Sequence, residues 1–231
     1  MTPGNRTWDL GRFLEILRFF DAVPVLSWLQ TMISGSHGVT PPQLQDGVLF
    51  DFTQNSPNSL ALWGALDDVV MGGVSQSRLE PGEQSLRFTG LVSTDNSGGF
   101  VSVRTRNFDP PLNLAAYQGL CLRLRGDGQR YKFFLRDQPG WDAIAYGYSF
   151  DTIAAEWITV TIPFAQLTPL FRARSQPQAP PLNSARICSL QLMLSKFEYD
   201  KILNPKFTPG PFSLELEQIT LLFGGGSPPQ G

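Results

Sequence analysis

The residues best equipped for chemistry here are carboxylates. Asp67 and Asp68 stand side by side in the stretch Trp63-Gly64-Ala65-Leu66-Asp67-Asp68-Val69-Val70-Met71-Gly72-Gly73-Val74-Ser75. Two adjacent acids can ligate a metal, cap a helix, or accept backbone N–H groups in a tight turn. Gly72-Gly73 beside them supplies positive φ or a close backbone approach, both of which other residues resist. By itself the stretch reads as a structured turn feeding a strand. Asp137, Asp142 and Glu198 are the other carboxylates that loops could bring together. Glycosidases need two such groups at a set separation, and the spacing along the chain sets none. His37 is the one histidine, which argues against a Ser/His/Asp triad, a Cys/His dyad or a His-rich metal site. Cys121 and Cys188 lack CxxC or Cys/His spacing and read as buried free thiols, with a disulfide between them left open. The expectation is a protein without catalytic residues, metal or cofactor.

Composition narrows the partners. The chain of 231 residues is 42% hydrophobic and 16% charged, enough to bury a large core and too apolar for disorder. A formal net charge of -2 carries no basic field, so nucleic acid is not an expected partner. The start shows no signal peptide pattern, and no apolar run is long enough for a membrane-spanning helix. The location expected is cytoplasmic, or the stroma or matrix side of an organelle.

The carboxylates must be held by the elements around them. Residues 1–42 form an N-terminal helical segment and linker. Leu10, Phe13, Leu14 and Leu17 recur at helical spacing, widened by Ile16, Phe19 and Phe20. Asp21 caps a second helix, with Pro24 in its first turn and Val25 to Ile33 continuing an apolar face. These helices either pack on the domain or, with Arg6, Arg12 and Arg18 beside them, contact a membrane peripherally through residues 9–33.

Residues 43–223 change to period two. Val48 to Phe52, Ser85 to Ser93 and Gly99 to Arg106 alternate, with Phe100 out of step on the polar side or at a bulge. Leu120, Leu122 and Leu124 oppose Arg123 and Arg125, and Gly126-Asp127-Gly128-Gln129 reads as the turn of a hairpin into Tyr131 to Arg136. Ala143 to Phe150, Trp157 to Ile162, Ser189 to Ser195 and Phe212 to Leu222 complete about ten strands. Without a strand-helix rhythm, the fold class is all-β: a two-sheet antiparallel sandwich or jelly roll. Gln166 to Asn183 and Phe197 to Pro211 are expected as long loops, and residues 224–231 as a flexible Gly/Pro tail.

The order of motifs resembles the CIA30 family, named for complex I intermediate-associated protein 30. Asp67-Asp68-Val69-Val70-Met71-Gly72-Gly73-Val74-Ser75 is similar to its opening signature. Phe88-Thr-Gly90, Asn96 to Arg104, Leu122 to Gly128, Trp157 with Ile162-Pro-Phe164, and Gly210 to Leu216 follow in family order. The resemblance runs from about Val48 to Leu222. It implies a galactose-binding-like jelly roll and a chaperone-like role, free of catalysis, in assembling membrane-bound complex I. Relatives joined to reductase-like modules in photosystem biogenesis leave a photosystem client as an alternative, although this chain has no Gly-x-Gly-x-x-Gly module of its own.

On this reading the partners are protein subunits of a membrane complex under assembly. The residues expected to meet them are Asp67, Asp68, Met71 and Ser75 on the signature turn. Arg104 and Arg106 on a polar strand face, Arg136, Asp137 and Trp141 after the Asp-Gly turn, and Phe171, Arg172 and Arg174 in the first long loop complete the set. For Asp67 and Asp68 the opposing reading is that they accept only backbone N–H groups of the turn, and Arg104 and Arg106 also read as solvated sheet-face charges. A carbohydrate-binding module, stacking sugars on Trp141, Tyr146 and Tyr148, is the alternative function.

Overall fold

From Val48 onward, alternate side chains bury, and this builds two antiparallel sheets that face each other across one core. The structure is a computed structural model that describes residues 8–19, 38–54, 57–140 and 143–224. His37, Trp141, Asp142, the expected second helix and the glycine-rich tail lie outside these residues.

The first sheet has six strands. They are β1 (Val48–Asp51), β3 (Gln76–Pro81), β4 (Leu86–Val92), β6 (Tyr117–Arg125), β9 (Trp157–Pro163) and β13 (Gly210–Phe223). Its order is β3-β4-β13-β6-β9, with β1 pairing β13 beyond the end of β4. The long β13 changes phase in the middle. Leu214 and Leu216 bury, the register shifts between Leu216 and Gln218, and Ile219 and Leu221 bury next. One bulged residue thus keeps both halves of β13 facing the core.

The second sheet runs β11-β10-β8-β7-β12-β5-β2. Its strands are β2 (Trp63–Ala65), β5 (Phe100–Thr105), β7 (Arg130–Arg136), β8 (Ala145–Asp151), β10 (Thr168–Phe171), β11 (Arg174–Ser175) and β12 (Ser189–Ser195). Val101 and Val103, Tyr131, Phe133 and Leu135, and Leu190, Leu192 and Leu194 point inward. Across the core they meet Phe88, Leu122, Leu124 and Leu214 of the first sheet, where Phe88 and Phe212 make an edge contact at 4.8 Å. This is the expected jelly-roll sandwich.

Two expectations change. Gly126-Asp127-Gly128-Gln129 is not a hairpin turn: β6 lies in the first sheet and β7 in the second, so the segment arches between them. Asp127 staples the arch, accepting from the Tyr131 hydroxyl at 3.0 Å and from Ser213 N at 3.0 Å. A strand pair and an inter-sheet arch need the same Asp-Gly turn chemistry, and the alternation on either side does not tell them apart. Gln166 to Asn183 is also not merely a loop. It contains the β10–β11 hairpin, which extends the second sheet around Arg172 and Ala173, both at positive φ (49 and 62).

Before the sandwich, α1 (Leu10–Phe19) is capped by Asp9, whose Oδ1 accepts from Arg12 N at 3.1 Å. Ile16 buries against Leu66 and Val69, and the Trp8 indole N–H donates to Val69 O at 2.8 Å. The described helix therefore packs on the signature turn, while Leu10 and Leu14 on its other side stay exposed. A short helix α2 (Pro57–Ala61) precedes β2.

Candidate functional site

The signature carboxylates are interior groups. Asp67 and Asp68 are 0% and 1% exposed. The Asp67 carboxylate accepts from Ser77 N at 2.7 Å, the Ser77 hydroxyl at 2.5 Å, Ser102 N at 3.3 Å and the Arg12 guanidinium at 3.0 Å. Arg12 also donates to the carbonyls of Ser75 and Ser77, so α1 is locked to the turn through one guanidinium. Burial pushes the Asp67 carboxyl up, and the hydrogen bonds from Ser77, the Arg12 charge and the Ser102 N–H pull it back.

Asp68 is held as fully. Its oxygens accept from Ser75 N at 2.9 Å, the Ser75 hydroxyl at 2.6 Å, Gly99 N at 2.7 Å and Phe100 N at 3.3 Å. The backbone closes around it: Gly72 takes φ 89, and a Cβ on Gly73 would lie 2.3 Å from the Asp68 Cγ. Of the three roles open to paired acids, these two accept N–H and O–H groups. Through Ser102 and Gly99-Phe100 they pin the start of β5 to the turn.

That strand start is one wall of a cleft. Alternation sends Lys132, Phe134 and Arg136 of β7, and Gln191, Met193 and Ser195 of β12, to the outer face of the second sheet. The face is not open to solvent. The β10–β11 hairpin and the segment from Lys196 to Tyr199 rise beside it and enclose about 740 Å³. Asp200 ties these two walls, accepting from Ser175 N at 2.8 Å and the Ser175 hydroxyl at 2.6 Å. Phe134, Ala145 and Leu170 form an apolar floor with Met193 and Tyr199 against it.

Two cations stand on the floor of this cleft, and Arg172 and Lys196 line it higher up. Arg136 donates through Nη1 to Gln191 Oε1 at 2.8 Å, and its Nε is buried with no hydrogen-bond partner. Burial lowers its guanidinium to about 9, with the charge of Arg104 pulling the same way. Lys132 is 3% exposed and donates to the Phe197 carbonyl, with its ammonium 5.5 Å from the Tyr199 ring centroid. Burial lowers it to about 8, the Glu198 charge opposing and Arg130 reinforcing. The Glu198 carboxylate itself faces Arg130 Nε at 3.2 Å and the Ser149 hydroxyl at 2.5 Å.

The expected partner-facing residues divide accordingly. Asp67, Asp68 and Ser75 are interior in the hydrogen-bonded turn, and Arg104 is interior because the outer face of β5 is covered rather than solvated. Arg104 donates from Nε to the Ser189 hydroxyl at 3.3 Å and from Nη2 to Asn107 Oδ1 at 2.9 Å. Asp137 is interior too: it follows Arg136 and points the opposite way, its Oδ2 accepting from Asn183 N at 2.9 Å. The Arg106 guanidinium lies 4.7 Å from the Phe19 ring. Arg136, Met71, Phe171 and Arg172 line the cleft, Met71 at 79% exposure, and Arg174 is exposed on β11.

Sequence reasoning missed Lys132, Phe134, Gln191, Met193 and Tyr199. The signal was present in two strands. Tyr131 to Leu135 and Leu190 to Leu194 carry apolar residues on both phases (Phe134 and Met193 on the outer one), the pattern of a strand covered on both faces.

The sequence model of the family described as Complex I intermediate-associated protein 30 (CIA30) matches residues 50–216. The chain is 30% identical over 162 residues to the uncharacterized protein C9E9.15 of Schizosaccharomyces pombe, a match over 61% of this chain and 74% of that protein. Among solved structures it is similar to a family 11 carbohydrate-binding module of Clostridium thermocellum, in complex with a beta-1,3-1,4-mixed-linked tetrasaccharide. The TM-score is 0.50 at 16% identity, covering 71% of this chain and 89% of the module. An exo-beta-agarase aligns with a TM-score of 0.50 at 10% identity, over 78% of this chain and 25% of the enzyme. At such identities the likeness is one of fold.

Proposed function

The chain belongs to the CIA30 family, and from that premise we propose that it is a non-catalytic assembly factor for a membrane-bound complex of the complex I type. The family match over residues 50–216 carries this reading. The site supports it in two ways. Both signature carboxylates are saturated by internal hydrogen bonds, a poor arrangement for acid–base work, which needs a proton at a reachable oxygen. The cleft offers what a binding surface needs: a rigid sheet floor, apolar walls, and a rim where Met71 and Phe171 are exposed. A subunit awaiting its neighbours would seat a protruding segment there and release it when the next subunit arrives.

The exposed Leu10 and Leu14 of α1 support peripheral membrane contact beside this site. Leu14→Glu is expected to reduce sedimentation with anionic vesicles and leave the thermal midpoint unchanged. Equal sedimentation removes the membrane contact from the account.

The assembly reading is tested by affinity capture of the tagged chain from gently solubilised membranes of its own host, followed by mass spectrometry. Enrichment of complex I-type subunits in subcomplexes smaller than the mature enzyme is expected. Photosystem subunits in their place keep the mechanism and change the client. Tyr146 and Tyr148, expected as sugar-stacking faces, pack in and against the core, and it is Phe134, Phe171, Phe197 and Tyr199 around the cleft that favour carbohydrate as the second reading. Capture of no membrane subunit, together with saturable sugar binding by the pure protein, would select it.

A further inference from the structure

The cleft floor is electrostatically incomplete. A guanidinium has five N–H donors and keeps its charge. Arg136 makes one hydrogen bond among the described residues, to Gln191, and its buried Nε makes none. No carboxylate among those residues lies within ion-pair distance of it. Asp137, adjacent in sequence, faces the other side of the sheet and holds the backbone N–H of Asn183. The charges near Arg136 are of its own sign: Arg104 on β5, two strands away across β12, and Lys132 at the other end of the same outer row. Arg136 is partly buried, and a buried guanidinium Nε without a partner is costly, since folded proteins normally satisfy such a donor.

We propose that the cleft is a carboxylate receptor, in which Arg136 grips a carboxylate borne on an apolar body. The planar fork of a guanidinium matches a carboxylate with two parallel N–H···O bonds. Phe134, Leu170 and Met193 supply the surface on which the apolar body rests. Asp68 and Glu198 also border the space, and their negative charge opposes a dianion such as a phosphate monoester. A volume of about 740 Å³ suits a small organic acid or one acidic side chain with its apolar neighbours. The chemistry is the same whether the carboxylate comes from a free acid or from an acidic residue of a client segment. In the second case the inference rests on the assembly reading and names the group recognised.

The test uses the full chain and two matched pairs of probes in titration calorimetry. One pair is 4-phenylbutyrate and its uncharged amide; the other is the blocked peptide acetyl-Phe-Glu-Phe-amide and its Gln counterpart. Saturable binding of the charged member, at least tenfold tighter than the neutral one, is expected in at least one pair. The peptide pair responding alone assigns the carboxylate to a client, and the small acid binding more tightly assigns it to a free ligand. Arg136→Met is expected to abolish the charged preference, and Arg136→Lys to retain part of it, with both thermal midpoints recorded. Equal binding of acid and amide, no binding of either acid, or a preference that survives in folded Arg136→Met would overturn the proposal. If the acids fail to bind while the wild-type chain still captures complex I-type subunits, the receptor idea fails and the assembly reading stands.

Discussion

The signature turn and the cleft floor each bury charge within one wall's thickness of each other, and they do so in opposite ways. At the turn, Asp67 and Asp68 receive hydrogen bonds from Ser77, Ser75, Ser102, Gly99, Phe100 and Arg12. On the floor, Arg136 has one hydrogen bond and an unpartnered Nε. A buried polar cluster whose valences are filled holds a structure together, whereas one left open calls for an explanation, which at Arg136 is the proposed carboxylate. The contrast places the signature carboxylates in the frame and, on the proposal above, binding on the outer face of β7 and β12, with Met71 of the signature at its rim. The two are joined, since Asp68 fixes Gly99 and Phe100, and Phe100 borders the cleft.

The comparison breaks most visibly at Asp68. Asp68→Ala strands the N–H groups of Ser75, Gly99 and Phe100 in a buried site. Each unsatisfied donor costs on the order of 1–3 kcal/mol, and with the Phe100 contact long and part-buried the three together are expected at the lower end, about 3–5 kcal/mol. In a domain of this size that lowers the thermal midpoint by roughly 10 °C in calorimetry. A midpoint near wild type with client capture abolished would move function onto the turn. Arg136→Met is the opposite case. Replacing a partly buried, poorly paired charge by an apolar side chain is commonly neutral or stabilising by about 1 kcal/mol. The midpoint should hold or rise, while client capture falls tenfold or more.

Proton linkage sharpens the contrast. Burial, the largest cause, lowers the folded-state Lys132 ammonium from 10.5 to about 8, with Glu198 opposing and Arg130 reinforcing. Between those values the unfolded chain binds more protons than the folded one, so this group makes stability rise with pH. The slope is at most about 1.4 kcal/mol per pH unit for one such group. Cys188, and above pH 10 Tyr146 and Tyr199, are raised in the folded state and act in the other direction. The Lys132 contribution is therefore read as the difference between wild type and Lys132→Met in denaturant midpoints from pH 8 to 10. Identical slopes would mean that the ammonium is not desolvated. The smallest effect is expected at Met71, which is 79% exposed. Met71→Ala should change stability by no more than about 0.5 kcal/mol and weaken capture modestly. A large loss of stability there would show that the rim, too, is frame.

Much of the fold was legible because it is written in alternation. Leu120, Leu122 and Leu124, and Leu214 with Leu216, read inward from the sequence and are inward in the structure. The arch at Asp127-Gly128 was not, since strand partners are chosen by contacts distant in sequence. Nor was the β10–β11 hairpin, whose turn places Arg172 and Ala173 at positive φ without a glycine to announce it. In the site, Gly72-Gly73 beside two acids did signal a tight turn. That Arg104 is covered, that Asp137 turns inward and that Arg136 is left with one partner depend on strand register and on the hairpin's cover. Local spacing carries neither.

One measurement addresses the division between frame and site directly: client capture from solubilised membranes with wild type and Arg136→Met at matched thermal midpoints, quantified by mass spectrometry. The account predicts complex I-type subunits on the wild-type chain and their loss from an equally stable Arg136→Met. Equal capture by the two proteins would contradict it.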